Sequence, residues 1–169
     1  MRTAGLQVTG LMLAAALILS YIESQIPLPF GVPGMKLGLA NLAVVLLLYL
    51  YGARAALAVN VMRILLSGFL FGGISAILFS LAGGAVSFVV MALLKKSKRF
   101  SISGVSVSGG VAHNAGQLLV AALVVKTYGV LYLIPPLMIA GAVTGLVIGL
   151  LAARLLPVLR KIVRTQEAA

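Results

Sequence analysis

Long apolar stretches dominate this chain, separated by short joints that are polar or rich in Gly and Pro. A helix that crosses a bilayer needs about 20 mostly apolar residues, with a range of about 17 to 25. By that measure the pattern predicts six spanning helices. The first covers 4–24 and closes at Glu23, Gln25 and Pro27. The run Pro27-Leu28-Pro29-Phe30-Gly31-Val32-Pro33-Gly34-Met35-Lys36 follows and holds too much proline and glycine to be helical. A short second helix over about 37–51 is broken by Gly52-Ala53-Arg54 from a third over about 55–71. Gly72-Gly73 turns the chain into a fourth, about 74–94, which ends at the basic run Lys95-Lys96-Ser97-Lys98-Arg99. The fifth covers about 102–125, and Lys126-Thr127-Tyr128-Gly129 leads to a sixth over about 131–156 with Pro135-Pro136 near its start. Past Pro157, a basic tail over 157–169 extends as a short helix or frays.

Composition places the chain in the membrane. It has 169 residues, 62% hydrophobic and only 9% charged, where a soluble domain carries about 25% charged residues. The expected fold class is all-α: a polytopic membrane protein, one compact bundle of six transmembrane helices forming a single domain over 1–169. The first apolar stretch lacks a small-residue cleavage site and reads as a retained helix.

The net charge of +11 would point to nucleic acid in a soluble protein. In a membrane protein, basic residues mark cytoplasmic loops and favour anionic lipid. Membrane lipid is therefore the expected partner, and nucleic acid is not. With six spans, Arg2, Arg54, Lys95, Lys96, Lys98, Arg99, Arg154, Arg160, Lys161 and Arg164 share one side, against Lys36 and Lys126 on the other. Both termini are expected in the cytoplasm.

Polar residues inside the apolar stretches carry the candidate chemistry. His113, the only histidine, lies with Asn114 and Gln117 on the fifth helix at spacings that share one side. Arg63 sits near mid-membrane on the third helix with Asn60 one turn before it. Glu23, Lys36 and Asn41 border the Pro/Gly segment, which reads as a lid. Such groups cost several kcal/mol each in hydrocarbon when unpartnered, so they should face other helices, water or a ligand. The candidate substrate-binding set is Glu23, Lys36, Asn41, Asn60, Arg63, His113, Asn114 and Gln117, suited to an anionic or mixed polar-aromatic ligand. The bland alternatives are an Arg63–Glu23 ion pair, interhelical hydrogen bonds from His113, Asn114 and Gln117, and lysines that snorkel to the interface.

Catalysis fits poorly. Divalent-metal chemistry on a diphosphate needs clustered carboxylates, and the chain has two acids, Glu23 and Glu167. It has no cysteine and no phosphate-binding loop, so no cofactor, metal site or self-driven active transport is expected. Gly141, Gly145 and Gly149 form a small-residue stripe on the sixth helix, and Gly10, Ala14, Ala16 and Ser20 smooth the first, as packing faces or as a docking face.

Three ordered motifs carry a resemblance over nearly the whole chain: Pro27 to Asn41, Arg63-Ile64-Leu65-Leu66-Ser67-Gly68, and Gly110-Val111-Ala112-His113-Asn114-Ala115-Gly116-Gln117. They resemble the Gx transporter family, which also carries the label heptaprenyl diphosphate synthase component I. That family is similar in size and helix layout to the substrate-binding S components of energy-coupling-factor transporters. The resemblance implies a bacterial plasma-membrane protein that captures a vitamin or related micronutrient. Its implied partner is a transmembrane coupling protein with two ATPase subunits, docked through an Ala-xxx-Ala pair approximated here by Gly10/Ala14 and Ala16/Ser20. The family label implies a different role, a non-catalytic accessory subunit of polyprenyl diphosphate synthesis or of a quinone- or flavin-linked redox system.

Overall fold

A computed structural model describes residues 3–26, 38–125 and 128–168. Its helices are α1 Thr3–Ser24, α2 Asn41–Leu50, α3 Ala53–Ser67, α4 Gly73–Ser97, α5 Ile102–Val125 and α6 Ile134–Ala168, with no strand among the described residues. A π-helical turn, Gly68–Gly72, joins α3 to α4, and a 3-10 turn, Tyr128–Leu133, leads into α6. Four stretches are long and apolar enough to cross a membrane: Gly5–Ser24, Ala53–Ser97, Ile102–Val124 and Ile134–Thr165. The chain is thus an all-helical, multi-pass membrane protein, but the expected six long spans reduce to four such stretches. The predicted second span shrinks most. At 10 residues α2 is about 15 Å long, half of a hydrocarbon core about 30 Å thick.

That short helix lies at the centre. Ala43 to Leu48 are all buried, as a helix apolar on every side must be. The stretch 53–97 is no single rod, because Asn60 Nδ2 donates to Gly84 O at 3.2 Å. In one straight helix those residues would lie about 36 Å apart. α3 and α4 instead fold back on each other about the π turn, where Gly73 takes φ +79, a conformation open to glycine. The basic tail over 157–169 takes the helical of its two expected forms, as a continuation of α6 through Pro157 to Ala168. Pro157 is exposed, so the one carbonyl it leaves without a helical donor is near the surface.

Two apolar clusters hold the bundle. The larger joins Met12 and Ala16 of α1, all of central α2, Val59, Phe88, Met91, Ile148 and Leu156, with Val8 and Leu159 packed against it. Early α1 and late α6 therefore lie at the same end. The smaller cluster, Phe79, Leu118, Ala121 and Leu137, sits at the other end of α4 and α5. Between them lies a polar layer.

Candidate functional site

Position along the helices sets the depth of this layer. Arg63 is ten residues into α3 and His113 eleven into α5, so each lies about 15 Å from its helix start. Both are buried, as are Glu23, Asn41, Asn60, Asn114 and Gln117. Of the groups expected to converge, Glu23, Asn41, Asn60, Arg63, His113 and Gln117 line this layer, whereas Asn114 turns to α6; Lys36, the predicted Pro27–Lys36 lid and Lys126 lie outside the described residues.

Arg63 is held by amides. Its Nη2 donates to Asn41 Oδ1 and to Asn60 Oδ1, each at 2.9 Å, and its Nε donates to Asn60 Oδ1 at 3.2 Å. Asn60 is fixed in turn by its Nδ2 donating to Gly84 O. The guanidinium Nη1 makes no hydrogen bond among the described residues. A buried arginine needs such partners, since its cost in hydrocarbon is at least about 2.5–3.5 kcal/mol.

Glu23 takes a different task from the ion pair with Arg63 that the sequence left open. Its Oε1 accepts from the backbone N–H of Gly38 and from that of Leu39 at 3.4 Å. Those groups open the turn that starts α2, with Asn41 N donating to Gly38 O at 2.9 Å. An anion at a helix start complements the free N–H groups and the dipole there. Arg63 feels Glu23 as an opposite charge across the site, but its contacts are to neutral amides.

His113 forms the second half of the layer. Gln117 Nε2 lies 3.0 Å from His113 Nε2; an amide nitrogen only donates, so in this orientation the neutral ring carries its proton on Nδ1. The imidazole is pressed between two glycines. A Cβ at Gly38 would lie 3.3 Å from His113 Cδ2, and one at Gly83 would lie 3.0 Å from His113 Cε1. Gly38, which has φ +89, would also place a Cβ 2.9 Å from Asn41 Nδ2, so it joins the His113 side of the layer to the Arg63 side. Asn114 turns instead to α6, where its Nδ2 donates to Leu137 O at 2.6 Å while its buried Oδ1 has no partner among the described residues.

Gly38, Gly83, Gly84 and the Leu137 carbonyl were not singled out from the sequence. The pair Gly83-Gly84 in mid-helix was the available signal, because adjacent glycines inside an apolar span mark a close approach. The predicted docking face of α1 is divided by the fold. Gly10 and Ala14 are exposed, whereas Ala16 and Ser20 are fully buried. Residues advance about 100° per position, so Ala14 and Ala16 face nearly opposite ways. Ser20 stands one turn before Glu23 on the buried side of α1.

Residues 12–155 match the family model described as heptaprenyl diphosphate synthase component I. The chain belongs to that family. No curated protein and no solved structure matches it. In this component I family member the match spans most of α1 through most of α6 and so takes in every described residue of the polar layer. Among the described residues no three of His, Asp and Glu come together as a metal cluster.

Proposed function

We propose that this chain is the substrate-binding membrane subunit of an ATP-driven energy-coupling-factor importer for a vitamin or related micronutrient. It is not itself an enzyme. In this reading the bundle sits in a bacterial plasma membrane with both termini cytoplasmic, and the ligand sits in the outer half. The observation that carries it is Arg63: a guanidinium buried at mid-depth whose Nη1 donors meet no acceptor among the described residues. Burying a charge whose hydrogen bonds go to neutral amides is costly. A polar or anionic ligand group beside Asn41, Asn60, His113 and Gln117 would offset that cost. Lys36, a candidate from the sequence, is proposed to meet the same ligand. ATP hydrolysis would come from two ATPase subunits on a transmembrane coupling protein.

The test is direct. Protein extracted in mild detergent should release a small polar molecule on denaturation, identified by mass spectrometry, and the same compound should raise the melting temperature of stripped protein. Saturation at 100 times Kd corresponds to about 2.7 kcal/mol of added stability. No retained molecule and no shift against a micronutrient panel would refute the reading.

The family's description, heptaprenyl diphosphate synthase component I, favours a second reading, a non-catalytic membrane accessory subunit of polyprenyl diphosphate synthesis. There the carboxylates that hold divalent cations would sit on a separate soluble chain. That reading predicts co-purification with such a chain, and Arg63→Ala would then lower assembly more than ligand uptake.

A further inference from the structure

We propose that the cleft between the α2–α3 turn and the end of α4 binds one anionic phospholipid, its headgroup on Lys96 and Lys98. This site is at the opposite end of α4 from the π turn and does not rest on the importer reading. The cleft has a volume of about 450 Å³, with Leu48, Ala53, Ala92 and Leu93 as apolar lining and Lys95, Lys96 and Lys98 as its polar edge. Its size falls in the range of small-ligand clefts, about 300–1,000 Å³.

The three lysines are not equivalent. Lys95 is already engaged, its Nζ donating to Leu48 O and lying 5.2 Å from the centre of the Tyr49 ring. Lys96 and Lys98 are exposed, and neither makes a side-chain hydrogen bond or ion pair among the described residues. Helix α4 ends with Lys98 in the left-handed region at φ 57, its N–H donating to Lys95 O at 3.2 Å. That reversal returns residue 98 to the same cleft as Leu93.

Charge selects the occupant. Arg160 adds a further positive charge within reach of Lys95, and Arg54 and Arg99 adjoin the cleft in sequence. Of the two acids in the chain, Glu23 is committed at the start of α2 and Glu167 lies in the last residues of α6. The cationic edge thus calls for an anion, and the apolar lining calls for more than an inorganic one. Val86, Val89 and Leu93 form an exposed stripe along α4 leading to the cleft, spaced as one helix face. A phosphate headgroup at the lysines with an acyl chain along that stripe satisfies both demands. Basic pockets at the ends of membrane helices bind anionic headgroups in this way.

The experiment uses the full chain, stripped of lipid in mild detergent, with phosphatidylglycerol, phosphatidylcholine of the same acyl chains, or inorganic phosphate added. Native mass spectrometry should show one phosphatidylglycerol retained per chain, at least tenfold tighter than phosphatidylcholine. The pair Lys96→Gln and Lys98→Gln should weaken this at least fivefold without changing the melting temperature of the stripped protein. Lys161→Gln and Arg164→Gln, which remove equal charge elsewhere, should leave it unchanged. Equal retention of phosphatidylcholine would overturn the proposal. So would equal loss in both pairs of variants, which would mean diffuse surface attraction, or equal stabilisation by millimolar inorganic phosphate, which would mean a free-anion site.

Discussion

Helix α5 has two sides that solve the same problem in opposite ways. Toward α6 it offers almost nothing but backbone: a Cβ at Gly110 would lie 2.2 Å from Gly141 O, and one at Gly145 would lie 2.7 Å from Ser106 O. Toward α4 it offers His113 and Gln117, which lie against Gly83, with Gly38 between His113 and the Asn41 side of the arginine and its amides. In lipid, apolar side chains gain little by leaving the solvent, so helices associate through close packing and interhelical hydrogen bonds. The glycine seam relies mainly on the first means, with Asn114 adding a hydrogen bond to Leu137 O. The polar layer uses the second at the cost of burying a charge. On the proposed reading, ligand binding would account for the layer's cost.

Substitutions can pull these two sides apart. The largest effect is expected at the seam: Gly110→Val drives a side chain into the α6 backbone, which cannot give way as a flexible side chain can. Loss of at least about 3 kcal/mol, the upper range for overpacking, should appear as aggregation or a collapsed melting temperature on extraction. In the polar layer, Asn60→Leu removes the acceptor of two Arg63 hydrogen bonds and should cost about 2 kcal/mol, a value typical of bonds to charged groups. Thermal unfolding in detergent would measure it, and a ligand should no longer shift the transition. Gln117→Leu removes its neutral bond to His113, an interaction of a kind worth about 0.6–1.7 kcal/mol. A loss as large as that of Gly110→Val would mean that the layer, rather than the seam, holds the bundle. Smallest is Gly10→Val, where an added Cβ meets nothing within 4 Å; stability of the isolated chain should stay within about 0.5 kcal/mol. If the exposed side of α1 docks a partner, the same change should weaken its pull-down.

Much of this was open to reading in the chain itself. Helix class, membrane location and the spans of α1 and α5 follow from length and hydropathy, because lipid demands long apolar segments whatever surrounds them. The candidate residues stood out because polar groups are rare in such segments. What each one touches was decided only by packing. Glu23 was free to pair with Arg63 on paper, yet the start of α2 takes its carboxylate and two asparagines take the guanidinium. Ala16 and Ser20 were open to a packing or a docking reading and are interior, since the side of α1 that faces inward depends on neighbours far along the chain. The second span could not be sized from its apolar run, for an all-apolar helix suits lipid and protein interior alike. Hydropathy is a property of each segment alone, whereas register, depth and partners are properties of several segments together, and those came only with the tertiary structure.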